Sequence, residues 1–90
     1  MSNEGSALVV TVRYFAAAQA AAGCAEEIVE VAPGAVVHDV LGAVAGGHGE
    51  KLARVLTACS VLLDEVAVRD RATPVRAGAV LDVLPPFAGG

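Results

Sequence analysis

The chain has 90 residues and a formal net charge of -4, from 6 Lys and Arg against 10 Asp and Glu. That balance disfavours a nucleic-acid surface, which calls for clustered basic side chains. Hydrophobic residues make up 56% but aromatics only 3%, so a core must be built from Val, Leu, Ala and Ile, with too little volume for a deep enclosed active site.

The opening MSNEGS is polar and acidic. It lacks the basic and apolar regions of a secretory signal, and no run approaches the roughly 18 apolar residues of a membrane span. The expectation is one cytoplasmic domain over 1–90, with a disordered N-terminus at 1–7, an extended tail at 85–90 and no membrane partner.

Residues 8–15, LVVTVRYF, alternate with period two. Leu8, Val10, Val12 and Tyr14 are expected to face the core, and Val9, Thr11, Arg13 and Phe15 the outside. A large aromatic on an outer face suggests a docking patch. AAAQAAA at 16–22 is a short run of strong helix formers, with Gly23 as its terminator. EEIVEVA at 26–32 alternates again, and Pro33-Gly34 marks the turn that closes this hairpin.

From Val36 the period changes: Val37, Val40, Leu41 and Val44 follow the spacing of an amphipathic helix, which Gly46-Gly47 is expected to stop. Glu50 to Ala58 reads as a second, shorter helix with Leu52, Val55 and Leu56 inward. Two short strands follow around Asp64-Glu65, then turns at Thr73-Pro74 and Ala77-Gly78. The last strand, 79–84, sets Leu81 and Val83 against Val80, Asp82 and Leu84, and Pro85-Pro86 ends it because proline cannot donate to a sheet ladder. This order predicts an α+β domain, a mixed sheet with one main helix on one face.

Chemistry-bearing motifs are scarce. Two cysteines, Cys24 and Cys59, cannot alone make a structural zinc site and read as small apolar residues. His38 beside Asp39, and His48 in a glycine-rich loop, read as solvated. No phosphate-cradling GxxxxGK and no Ser-His-Asp order occurs, so no metal, bound cofactor or catalytic side chain is expected.

The stretches TVRYFAAAQAAAG (11–23), PGAVVHDVLGAV (33–44) and AGAVLDVLPPFAGG (77–90), with the spacing between them, resemble the ubiquitin-like sulfur carriers, and within them the small subunit of molybdopterin synthase. The chain departs from that pattern at Ala79, where many relatives carry an acidic residue, and at Asp64-Glu65, where many carry Asn. It also lacks a Ser, Thr or Asp capping the helix that follows Val36.

The resemblance implies a ubiquitin-like β-grasp fold and a function carried by the tail. The Gly90 carboxylate would be adenylated by an ATP-dependent activating enzyme and converted to a thiocarboxylate. The sulfur would come from a donor such as a cysteine desulfurase or rhodanese-type protein. A larger subunit, in a heterotetramer, would then use it to build the molybdopterin dithiolene. ATP would belong to the activating enzyme, with no cofactor on this chain.

The tail's residue types suit that role. Ala88, Gly89 and Gly90 keep the cross-section small, and Pro85 and Pro86 extend the chain and reduce the entropy lost on threading. Phe87 is the expected anchor for a partner, with Phe15 and Leu62 on the same docking surface. Three alternatives stay open: a sulfur carrier for thiamine thiazole, cysteine or tRNA thiolation; a ubiquitin-like protein modifier; and a plain β-grasp interaction module.

Overall fold

The computed structural model describes residues 7–86. Strand β1, Leu8–Tyr14, pairs antiparallel with β2, Glu26–Val31, and parallel with β5, Val80–Leu84. Strand β3, Ser60–Leu63, pairs antiparallel with β5 and with the two-residue β4, Val66–Ala67. The sheet order is β2-β1-β5-β3-β4. Helices α1, Ala17–Ala22, α2, Val37–His48, and α3, Glu50–Ala58, complete the fold, with α3 packed against both others and α2 against β2.

The alternation in 8–14 is realised as expected: Val10, Val12 and Tyr14 are buried, and meet Val37, Val40, Leu41, Val44, Leu52, Leu56, Leu81 and Val83 in one cluster. Helix α1 is too short to persist alone. It is held by burial of Ala18 and by Gly23, whose left-handed φ of 79° lets its N–H bond the Gln19 carbonyl.

Three expectations are corrected. Helix α2 runs through Gly46-Gly47 and ends at His48. Each glycine costs about 1 kcal/mol against alanine, but the helix is continued by packing of its apolar stripe. Gly49, with φ 99°, takes over as terminator. His48 therefore stands on the last turn of α2, not in a solvated loop. Its Nε2 lies 2.5 Å from the Glu27 carboxylate, and its ring meets Tyr14 edge-on at 6.1 Å. The turn expected at Thr73-Pro74 lies two residues earlier, at Arg71-Ala72: Asp70 accepts from Ala72 and Thr73, while Pro74 forms a bridge with Val36.

The departures noted in the sequence have local explanations. Asp39 reaches back to accept the Val36 N–H at 2.8 Å, half of a capping box without a capping side chain at the first position. Asp64 and Glu65 both take positive φ, 49° and 72°, in the tight turn between β3 and β4, and the Asp64 carboxylate accepts the Val80 N–H. Ala79 is buried, which favours a small apolar residue over an acidic one.

Burial, and then the hydrogen bond it donates to Glu27, push the Tyr14 phenol well above its ordinary range. The unfolded phenol loses its proton near pH 10 while the folded one keeps it, so this stability is present below about pH 10 and lost above it. Urea midpoints should begin to fall above about pH 10 and keep falling as the pH rises, with a slope of at most about 1.4 kcal/mol per pH unit from this group. The Tyr14→Phe protein should lose the part of the decline above pH 10.

Candidate functional site

Among the described residues the helices cover one face of the sheet and leave the other open. Because side chains alternate along a strand, the pairings Thr11↔Ile28, Arg13↔Asp82 and Leu62↔Asp82 put residues of β2, β1, β5 and β3 on that outer face. Phe15 follows the same alternation one residue beyond β1. Its N–H bonds the Val83 carbonyl, which sets it beside Leu84 at the end of β5. Phe15 is 38% exposed, and Ile28 and Val9 are exposed on the same face. Leu62 is half-buried.

At the centre of this face the Arg13 guanidinium grips Asp82 with two hydrogen bonds of 2.6 and 2.9 Å. The same guanidinium lies 5.9 Å from the centroid of the Phe15 ring, within cation–π range. Asp82 is buried, at 5% exposure, although it lies on the outer side of the sheet, because Arg13 covers it. The hydrogen bond to Asp82, and then its charge, raise the Arg13 pKa further. The alternation put each residue on the outer face of its own strand, and the parallel pairing of β1 with β5 brings the two charges together.

Removing one partner leaves the other uncompensated. Arg13→Met should lower the melting temperature by stranding the Asp82 carboxylate, and Arg13→Met with Asp82→Leu should recover most of the loss. Differential scanning calorimetry of the two proteins checks this.

The chain leaves the body beside this surface. Pro85 is buried and Pro86 exposed, so Pro85 acts as the root of the tail and not as part of its exposed length. Phe87, Ala88, Gly89 and Gly90 lie outside the described residues, as does the expected disorder of 1–7 apart from Ala7. Apolar side chains thus surround the Arg13–Asp82 ion pair on this face.

A five-stranded mixed sheet with parallel first and last strands, hairpins at either side and a helical layer on one face is the ubiquitin-like β-grasp. The chain belongs to the ThiS family, whose model matches residues 12–90. Among solved structures it is similar to molybdopterin converting factor subunit 1 from Pyrococcus furiosus, with 26% identity, a TM-score of 0.80 and coverage of 89% of this chain and 99% of that one. It is likewise similar to small archaeal modifier protein 1 from Haloferax volcanii, at 28% identity and a TM-score of 0.81 over 91% and 99% of the two chains. A third match is to the complex of subunits 1 and 2 of molybdopterin-converting factor from Helicobacter pylori 26695, at 25% identity and a TM-score of 0.66 over 92% and 100%. A search of curated protein sequences finds no match. Among the described residues no helix is long and apolar enough to cross a membrane.

Proposed function

We propose that this chain is a cytoplasmic sulfur carrier whose working group is the Gly90 carboxylate, serving as the small subunit of a molybdopterin synthase. The observation that carries the reading is the extent of the family match, which runs from the first strand through Gly90 and includes LPPFAGG. A carboxylate at neutral pH is ionised and has no leaving group. It becomes a sulfur acceptor only after a partner enzyme transfers AMP to it from ATP with loss of pyrophosphate. Sulfide sulfur then displaces AMP, leaving a thiocarboxylate.

The chain itself supplies the acyl group and the surface that presents it. The open face with Phe15 and Leu62 lies at the root of the tail, where both an activating enzyme and a large subunit could be held while Gly90 enters their centres. The Helicobacter pylori complex of subunits 1 and 2 supports the second of these partners. The sulfur donor is a persulfide-bearing enzyme of the desulfurase or rhodanese class, whose outer sulfur is released as sulfide when a second thiol, the reductant, forms a disulfide with the donor cysteine.

The test is the intact mass after co-expression with a candidate activating enzyme. One oxygen replaced by sulfur adds about 16 Da, and a mass that never changes in the presence of enzyme, ATP and sulfur donor overturns the reading.

A second reading, protein modification through Gly90, is favoured by the likeness to small archaeal modifier protein 1. Lys51 is the single lysine and is exposed, so chains of the protein upon itself have one lysine attachment point. Isopeptide-linked conjugates in a lysate, absent from the Gly89-Gly90 deletion, would favour this reading over the first.

A further inference from the structure

Cys24, Glu27 and His48 come from three different elements, yet the fold brings one ligand atom of each to within 4.8 Å of the others. Cys24 lies in the loop after Gly23, Glu27 on the inner side of β2, and His48 on the last turn of α2. No cysteine lies at ligand spacing from His48 in the chain, because 24 residues separate it from Cys24 and only the docking of α2 against β2 closes that gap.

We propose that these three side chains form a site for a zinc ion, with Cys24 Sγ, a Glu27 carboxylate oxygen and His48 Nε2 as ligands. The site is separate from the tail and independent of what the tail carries.

Five features of the site support a metal. The donor set of one sulfur, one imidazole nitrogen and one carboxylate oxygen is that of zinc. Zinc–ligand bonds of about 2.0–2.3 Å in a tetrahedron set ligand atoms about 3.3–3.7 Å apart. The triad is thus near the required size: the Glu27–His48 contact of 2.5 Å must open by about 1 Å as the ion takes the place of the shared proton.

An outer layer is also in place. The Tyr14 hydroxyl donates to the Glu27 carboxylate, and the buried Tyr14 ring abuts the imidazole, fixing the two ligands as supporting groups do in metal sites. The end of α2 favours a cation as well, since its last carbonyls carry the negative end of the helix dipole. Finally, the site is reachable. His48 and Glu27 side chains are 22% and 30% exposed, and Cys24 lines a shallow surface depression with Ala16, Gln19, Ala20 and Gly23.

A water molecule would complete the four-coordinate shell. On binding, a zinc–sulfur bond forms, the Cys24 thiol proton passes to buffer, and the displaced waters leave the ion. Burial, and then the Glu27 charge, hold the free thiol protonated above its ordinary range, so the ion must displace a proton to bind.

The experiment uses the full chain, reduced and stripped with chelator, titrated with Co2+ and then with Zn2+. One Co2+ per chain should give the near-ultraviolet thiolate-to-cobalt band and the visible bands of a tetrahedral ion, and Zn2+ should abolish both. Zinc a hundredfold above its Kd should raise the melting temperature by about 10 °C or more. Cys24→Ser should remove the thiolate band, and Glu27→Gln should weaken binding at least tenfold. Cys59→Ser, whose thiol donates to the Val55 carbonyl in the core, should bind as the parent does. Absence of the thiolate band in the folded parent chain overturns the proposal, as does its survival in Cys24→Ser. Should Cys24→Ser fail to fold, unchanged cobalt affinity in folded Glu27→Gln overturns it instead.

Discussion

Deleting Gly89-Gly90 is expected to abolish sulfur transfer and leave the fold intact. Neither residue has a side chain to pack, and the core cluster of Val10, Val12, Tyr14, Val40, Leu52, Leu81 and Val83 is complete without them. A change at such a position costs within about 0.5 kcal/mol, so melting curves should agree within about 2–4 °C. The loss of function should be total, because the truncated chain ends in the Ala88 carboxylate, set back by two residues or about 7 Å of extended chain. A carboxylate that far short cannot meet a buried nucleotide. Adenylation measured by pyrophosphate release and transfer measured by intact mass check the two steps separately, and full transfer by the truncated chain would overturn the carboxylate mechanism.

The second large effect concerns docking. Phe15 sits beside Leu84 at the root of the tail, with Arg13 against its ring and Leu62 two strands away. Phe87 follows two residues after the buried Pro85, close enough in sequence to join the same surface. Truncating a well-buried interface aromatic often costs about 2 kcal/mol, or thirtyfold in affinity. Phe87→Ala should weaken binding to both the activating enzyme and the large subunit by about that factor. Phe15→Ala should act in the same direction by less, because Arg13 already covers part of the ring, and with a small loss of stability. Leu62→Ala should be weaker still. Isothermal calorimetry against each partner decides the matter: unchanged affinity in Phe87→Ala and Phe15→Ala together would remove this face from the interface.

Under the proposed function, one docking face would serve both partners in turn. A carrier that docks two partners through one face must leave the first before meeting the second. Excess Gly89-Gly90-deleted protein should therefore compete with the intact chain for both partners, although it carries nothing.

Much of the fold could be read in the residues. Period-two alternation in 8–15 and 79–84 assigned both central strands and their buried faces, because a half-buried strand must alternate. The spacing of Val37, Val40, Leu41 and Val44 assigned the main helix for the corresponding reason at period 3.6. Gly23 and Ala77-Gly78 marked ends that local backbone sterics enforce.

Other features depended on distant contacts. Gly46-Gly47 breaks a helix by local propensity, but α2 passes through them because its apolar stripe and His48 are held by the sheet and α3. The grip of Arg13 on Asp82 spans 69 residues, and no period announces it; it follows from β1 and β5 being parallel neighbours. Cys24, Glu27 and His48 meet for the same kind of reason. Local patterns determine which residues face the core, since that is a property of a strand or helix taken alone. Which polar side chains meet is decided only when elements far apart in sequence are packed together.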